Sequence, residues 1–258
     1  MEKLDFLRMY CGKQYAVNDH IKINQPSIGD IIEMGEQEYY GMLSAFTAIP
    51  SDLKAQLWDK GINWMEISDF DLFCMLVRSI KMEQSKILFG TDIDFSLFDL
   101  CINPQNNMLV LQGPPPDNVR IDVNIYNGIA QYLRKMHNIT PKVEKAANKT
   151  TWKVLIREAQ MKLKANENKP YDSMMQSMIS SMVNSSGFKY NLKETMGIGI
   201  VEFMDSFKRI HAIAHARDLT LGMYMGNVDV SKIDRKQLNW SRKLEEDKPK
   251  QGLNKKMD

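Results

Sequence analysis

A chain of 258 residues with 43% hydrophobic content and a mean hydropathy of -0.38 has the composition of an ordinary globular protein, long enough to bury a core without disulfides or metals. Its 34 basic and 32 acidic side chains leave a net charge of +2, too balanced for a general attraction to nucleic acid. No run approaches the ~20 apolar residues of a membrane helix, and the N-terminus alternates charged and apolar residues instead of forming a signal peptide, so a cytoplasmic protein is expected.

Residues 14–17 and 21–23, joined by an Asn18-Asp19 turn, read as a short hairpin. Ser27 then stands as an N-cap with Asp30 three residues on, an imperfect capping box. Ile28, Ile31, Ile32, Met42, Leu43 and Phe46 fall near one helical face, while Gly35 and Gly41 weaken its middle, so a helix with room for a break is expected. Residues 51–60 form another helix closed by Gly61. A third starts near Ser68, with Asp71 three later and Leu72, Phe73, Leu76 and Ile80 as its stripe. Trp58 and Trp64 flank the Gly61 turn and pin these two helices together.

Residues 87–123 change character, with short apolar runs bounded by Asp, Gly and the prolines at 114, 115 and 116, and suggest a small hairpin or three-stranded piece. Helical spacing returns at Asp122 with Ile125, Ile129, Tyr132, Leu133 and Met136, and stops at Asn138 and Pro141. It resumes near Thr150 with Trp152, Leu155, Ile156, Ala159 and Leu163, closed by the polar residues 166–170. Next, Tyr171, Met174, Met175, Met178, Ile179, Met182 and Val183 recur at spacings of three and four. Asn191, with Glu194 three later, caps a helix whose face is Met196, Ile200, Phe203, Phe207, Ile210 and Ala214. Residues 219–225 read as an extended turn or a frayed helix end. From Asp234 onward eight Lys or Arg stand against five acids, a solvated polar tail.

These elements predict an α+β fold, predominantly helical, with bundle-like helix packing, a short N-terminal hairpin and a small central β element. The expected division is a mainly helical domain with small β elements over residues 1–137, a helical domain over 138–240 and a flexible polar tail over 241–258.

Reactive arrangements are scarce. Cys11, Cys74 and Cys101 are odd in number and widely spaced, and read as reduced core residues. His211 and His215 stand four apart on a helix, a metal-sharing spacing, but Ala212, Ile213 and Ala214 lie between them and the Glu of a zinc protease motif is absent. Gly197 and Gly199 lack the third glycine and preceding strand of a dinucleotide loop. Asp92, Asp94 and Asp99 match no calcium loop and read as solvated turn carboxylates. The chain is therefore expected to be non-catalytic, with no cofactor and no metal, and to work by binding proteins.

Methionine is the positive signal, at 19 of 258 residues. Flexible thioethers repack against partners of different shape, although a stripe at helical spacing ordinarily faces inward. If the stripe does meet a partner, Met174, Met175, Met178, Met182, Phe203 and Phe207 are the residues expected to line the groove.

Four phrases together are similar to proteins from the tail-building region of phages that infect Gram-positive bacteria: Gln25-Pro26-Ser27-Ile28-Gly29-Asp30-Ile31, Ser68-Asp69-Phe70-Asp71-Leu72-Phe73, Leu133-Arg134-Lys135-Met136-His137 and Gly187-Phe188-Lys189-Tyr190. The family resembled is that of the tail assembly chaperones. The resemblance implies a late viral protein of the host cytoplasm that keeps the tape-measure protein soluble and meets tail-tube subunits during tail assembly, with self-association as a further option. It carries over no individual functional residue. The alternatives are a virion structural protein of the connector, neck or tail, and a metal- or nucleic-acid-binding factor using the histidine pair and the basic tail.

Overall fold

The computed structural model describes residues 5–104, 107–226 and 233–244. The chain opens with α1 (Phe6–Tyr10) and the expected hairpin, β1 (Tyr15–Ala16) against β2 (Lys22–Ile23), whose turn is held by Asn18 Oδ1 accepting from the Ile21 amide at 2.6 Å. Helix α2 (Ile28–Met34) starts on a complete capping box: the Asp30 amide donates to Ser27 Oγ at 3.1 Å, and the Ser27 amide donates to the Asp30 carboxylate at 2.9 Å. Gly35, at φ +95°, a conformation that favours glycine, separates α2 from α3 (Glu36–Thr47), so the expected helix is broken at the first of its two glycines.

Helix α4 (Lys54–Asp59) is followed by Gly61 at φ +73°, and α5 (Asp69–Val77) repeats the capping box with Ser68 and Asp71. Helix α6 (Met82–Phe89) was not legible in the sequence. The central β element is three-stranded and antiparallel, β3 (Asp99–Ile102), β4 (Leu109–Gln112) and β5 (Arg120–Ile121) in that order. Helices α7 (Val123–Met136) and α8 (Lys149–Asn166) lie where their stripes predict, but in α8 only Ile156 is fully buried and Leu163 is exposed. Helix α9 (Met174–Val183) follows.

Two corrections concern the last third. The helix expected from Asn191 onward divides at Gly197–Gly199 into α10 (Leu192–Met196) and α11 (Ile200–Tyr224). Residues 219–224, expected as a turn or frayed end, belong to α11. Among the described residues there are thus eleven α-helices and two small sheets, a predominantly helical α+β fold, and no helix is long and apolar enough to cross a membrane.

One large hydrophobic cluster runs from Met9 to Phe203 and draws on α1 to α3, α5 to α7, α9 and α11. A smaller one, Ala48, Leu57, Trp64, Leu72 and Ile156, fastens α8 to α4. Trp64 is buried there, whereas Trp58 is partly exposed and meets the Trp152 ring edge to face, so these tryptophans tie α4 to α8 rather than α4 to α5 alone. Cys74 is buried and burial pushes its thiol up to about 12, but Cys11 and Cys101 are exposed, which corrects their core reading.

Candidate functional site

The glycine pair read above as a poor dinucleotide loop serves instead as a close approach between chain segments. The Ile28 amide donates to Ile198 O at 2.9 Å and the Ile200 amide to Pro26 O at 3.0 Å, closing a small bridge between Ser27 and Gly199. A Cβ at Gly199 would stand 2.0 Å from Gln25 Oε1, and one at Gly29 would stand 3.0 Å from the Met196 carbonyl oxygen. Gln25 in turn donates from Nε2 to Met9 O at 2.6 Å. The start of α2 is thereby held against the α10–α11 junction with no room for side chains between them.

This clamp leaves α2 and α9 standing apart, and between them lies an open groove of about 1430 Å³. One wall is Ile32 and Met34 at the end of α2 with Glu36 and Glu38 at the start of α3. The other is Met175, Ile179 and Val183 of α9, and Leu192 and Met196 of α10, which meets both α2 and α9, complete the lining. Ile32 and Leu192 are 47% and 56% exposed, large apolar side chains of the lining that face water.

Glu36 ties the walls together. Its carboxylate accepts from Ser173 Oγ and, at 3.2 Å, from the Met175 amide, so an acid of α3 caps the N-terminus of α9, where the helix dipole favours negative charge. Burial raises the Tyr40 phenol to about 12, with Glu36 adding to the effect, and Tyr171, also in the lining, is raised by burial and by the charge of Glu36. Both hydroxyls therefore keep their protons at neutral pH.

Of the six residues expected to meet a partner, only Met175 lines this groove. Met182 and Phe203 are core residues, which corrects that expectation: Met175, Ile179 and Met182 recur at four and three, and this stripe packs into the main cluster beside Phe203. Met178 and Phe207 are half-buried against the same cluster, and Phe207 holds the His211 ring edge on at 4.7 Å. Met174, 72% exposed, lies outside the groove. Sequence reasoning missed Ile32, Met34, Tyr171, Leu192 and Met196 as one surface. The break at Gly35 was the available signal, since it ends α2 at Met34, where Ile32 is left half exposed.

His211 and His215 are both exposed on α11, and among the described residues no group of three or more His, Cys, Asp or Glu converges at metal-binding spacing. A second, polar cleft of about 510 Å³ gathers Tyr10, Cys11, Asp30 and Glu202, but the Asp30 carboxylate there is engaged by the Ser27 amide and hydroxyl.

Residues 165–245 match the model of the YomV second domain, a family of phage-derived Bacillus proteins. The similarity points to a phage-related protein. No curated protein and no solved structure matches the chain. The matched stretch includes α9, α10 and α11, so one wall of the groove falls inside it, whereas the wall built from α2 and α3 precedes it.

Proposed function

We propose that this protein is a non-catalytic phage tail assembly chaperone that works in the host cytoplasm, and that the groove between α2 and α9 binds an amphipathic helix of its client, the tape-measure protein or a tail-tube subunit. The observation that carries this reading is the groove itself. Small-molecule sites occupy roughly 300–1,000 Å³ and enclose their ligand. A cleft of about 1430 Å³ that is open along one side and walled by Ile32, Met34, Met175, Ile179, Val183 and Met196 suits the apolar face of a helix. Met34 and Met196, both half-buried, are flexible wall side chains that can adapt to clients of different sequence. The tail-specific part of the proposal rests on the four sequence phrases given above.

Co-expression with a tape-measure fragment tests it. The fragment is expected to stay soluble with the natural protein and to precipitate with the Ile32→Asp, Leu192→Asp double variant, since both side chains face water and their replacement leaves the core intact. Equal solubility with natural and variant protein would remove the groove from the account. Recovery of the protein in fixed copy number from purified particles would favour a structural component of the virion instead.

A further inference from the structure

The central sheet ends on β3. Its strands lie in the order β3, β4, β5, so β3 has β4 on one side and, among the described residues, no strand on the other. Two ladder bonds fix which way its backbone points. The Asn103 amide donates to Met108 O at 2.8 Å, and on the far side of β4 the Gly113 amide donates to Val119 O at 2.7 Å. Bonded and unbonded pairs alternate along an antiparallel ladder, so in this register Asp99 and Cys101 bond to Gln112 and Val110 of β4. Leu100 and Ile102 therefore turn their N–H and C=O groups outward, and among the described residues no backbone bond from elsewhere reaches them.

The side chains follow the same alternation. Leu100 and Ile102 share one face of the sheet with Leu111 and Leu109 opposite them and with Ile121 beyond Leu111. Leu111 and Ile121 belong to the main cluster, whereas Leu100, Leu109 and Ile102 carry that face on into water, 45%, 37% and 61% exposed. An apolar edge strand with an unpaired backbone is a template for another strand, and chains that avoid such pairing place Lys, Pro or a bulge there. Strand β3 has none of these, and its one charged residue is Asp99 at the start.

We propose that β3 of one copy pairs antiparallel with β3 of a second copy, joining the two central sheets into one of six strands. Self-complementarity selects this occupant and sets the register. Leu100 opposite Ile102 of the second copy, and the reverse, engages all four outward groups of each strand, with a two-fold axis through Cys101. Leu100 and Ile102 of the second copy then meet as an apolar cross-strand pair on the face that already carries the core. Charge agrees with the antiparallel sense. Asp99 stands opposite Asn103 of the second copy, whereas parallel, in-register strands would set two Asp99 side by side, and like charges directly opposite are destabilising. The two Cys101 form an unbonded pair with Cα atoms about 4.5 Å apart, inside the range of about 4.4–6.8 Å that a disulfide spans. None of these residues lines the groove, so the inference is independent of the helix-binding reading.

Sedimentation velocity and thiol oxidation on the full chain test it. The natural protein is expected to form a dimer with rising concentration and nothing larger, because pairing uses up the edge of both copies. Cys11 is the other exposed cysteine, so oxidation is carried out on the Cys11→Ser chain, with diamide taking one hydrogen from each of two thiols as the Sγ–Sγ bond forms. A reducible dimer that disappears in the Cys11→Ser, Cys101→Ser chain is expected. Ile102→Pro removes an outward N–H and no bond to β4, a position where an edge strand accepts proline, and circular dichroism verifies its fold. It is expected to raise the dissociation constant at least about tenfold and to lose the cross-link. If proline upsets the strand, the Leu100→Lys, Ile102→Lys variant decides, since both side chains are exposed and lysines would then face each other across the seam. A natural chain that stays monomeric overturns the proposal and leaves the edge to a strand of another protein. A dimer that diamide does not link through Cys101, or a folded edge variant that associates like the natural chain, overturns it as well and places the contact elsewhere.

Discussion

His137 is enclosed on all sides, with Nδ1 2.9 Å from Leu133 O and Nε2 2.6 Å from Tyr39 Oη. A carbonyl can only accept, so Nδ1 carries the hydrogen and Nε2 accepts from the tyrosine hydroxyl. Burial lowers the imidazole to about 4, against an ordinary 6.5, and the hydrogen bond to Leu133 offsets this only in part. The folded state therefore resists the proton that the unfolded chain takes up. The stabilising contribution is complete above pH 6.5 and is lost as pH falls toward 4. By pH 5 the loss is roughly 2 kcal/mol, from about 1.5 pH units at 1.36 kcal/mol each. Urea unfolding at pH 7 and pH 5 should show that difference, and His137→Gln should flatten it; an unchanged slope would mean that another group is responsible. None of this was legible beforehand, because Tyr39 lies 98 residues away in sequence. The cysteines show the same limit. Cys101 sits between Leu100 and Ile102 and looked like core, yet β3 is the outer strand of its sheet and all four of its residues are exposed.

Element starts were far more legible than element neighbours. Ser27, Ser68, Asp122 and Asn191 each announce a helix through a local hydrogen bond that needs no tertiary context, and each is an N-cap in the structure. Helix α6 escaped notice because its inward positions are Ser85, Leu88 and Phe89, and a buried serine at the first of them breaks the apolar rhythm. The division at Gly197–Gly199 escaped because the apolar spacing continues across it, while the reason for the break is the approach of Pro26 and Gln25 from the other end of the chain. Two glycines in neighbouring helices make the contrast testable. A Cβ at Gly29 would press on the Met196 carbonyl oxygen, part of a backbone that cannot turn aside, whereas one at Gly41 would meet nothing within 4 Å. Gly29→Ala should cost about 1–3 kcal/mol as an overpacked contact. Gly41→Ala should stabilise by about 0.5–1 kcal/mol through helix propensity. Thermal melts of the two variants compare these directly, and shifts of the same sign would refute the packing argument.

Across the molecule, the helical character and the central β element followed from periodicity and turn residues, whereas the groove did not, because it forms between segments about 140 residues apart whose distance is fixed by the Gly29 and Gly199 contacts. The same long-range packing bears on the division expected near residue 137. Met175, Met182, Ile198, Ile200, Val201 and Phe203 are buried in one cluster with Ile28, Ile31, Tyr39 and Phe46. A fragment of residues 138–258 should accordingly show no cooperative thermal unfolding by circular dichroism, and a sharp transition would establish it as an independent unit. The distribution of indole rings adds an optical consequence. Of the four tryptophans, Trp64 and Trp152 belong to the satellite cluster under α8, Trp58 leans on Trp152, Trp240 is half in solvent, and the main cluster contains none. Intrinsic emission from this protein thus reports chiefly the seating of α8 on α4 and is nearly blind to the interior that builds the groove.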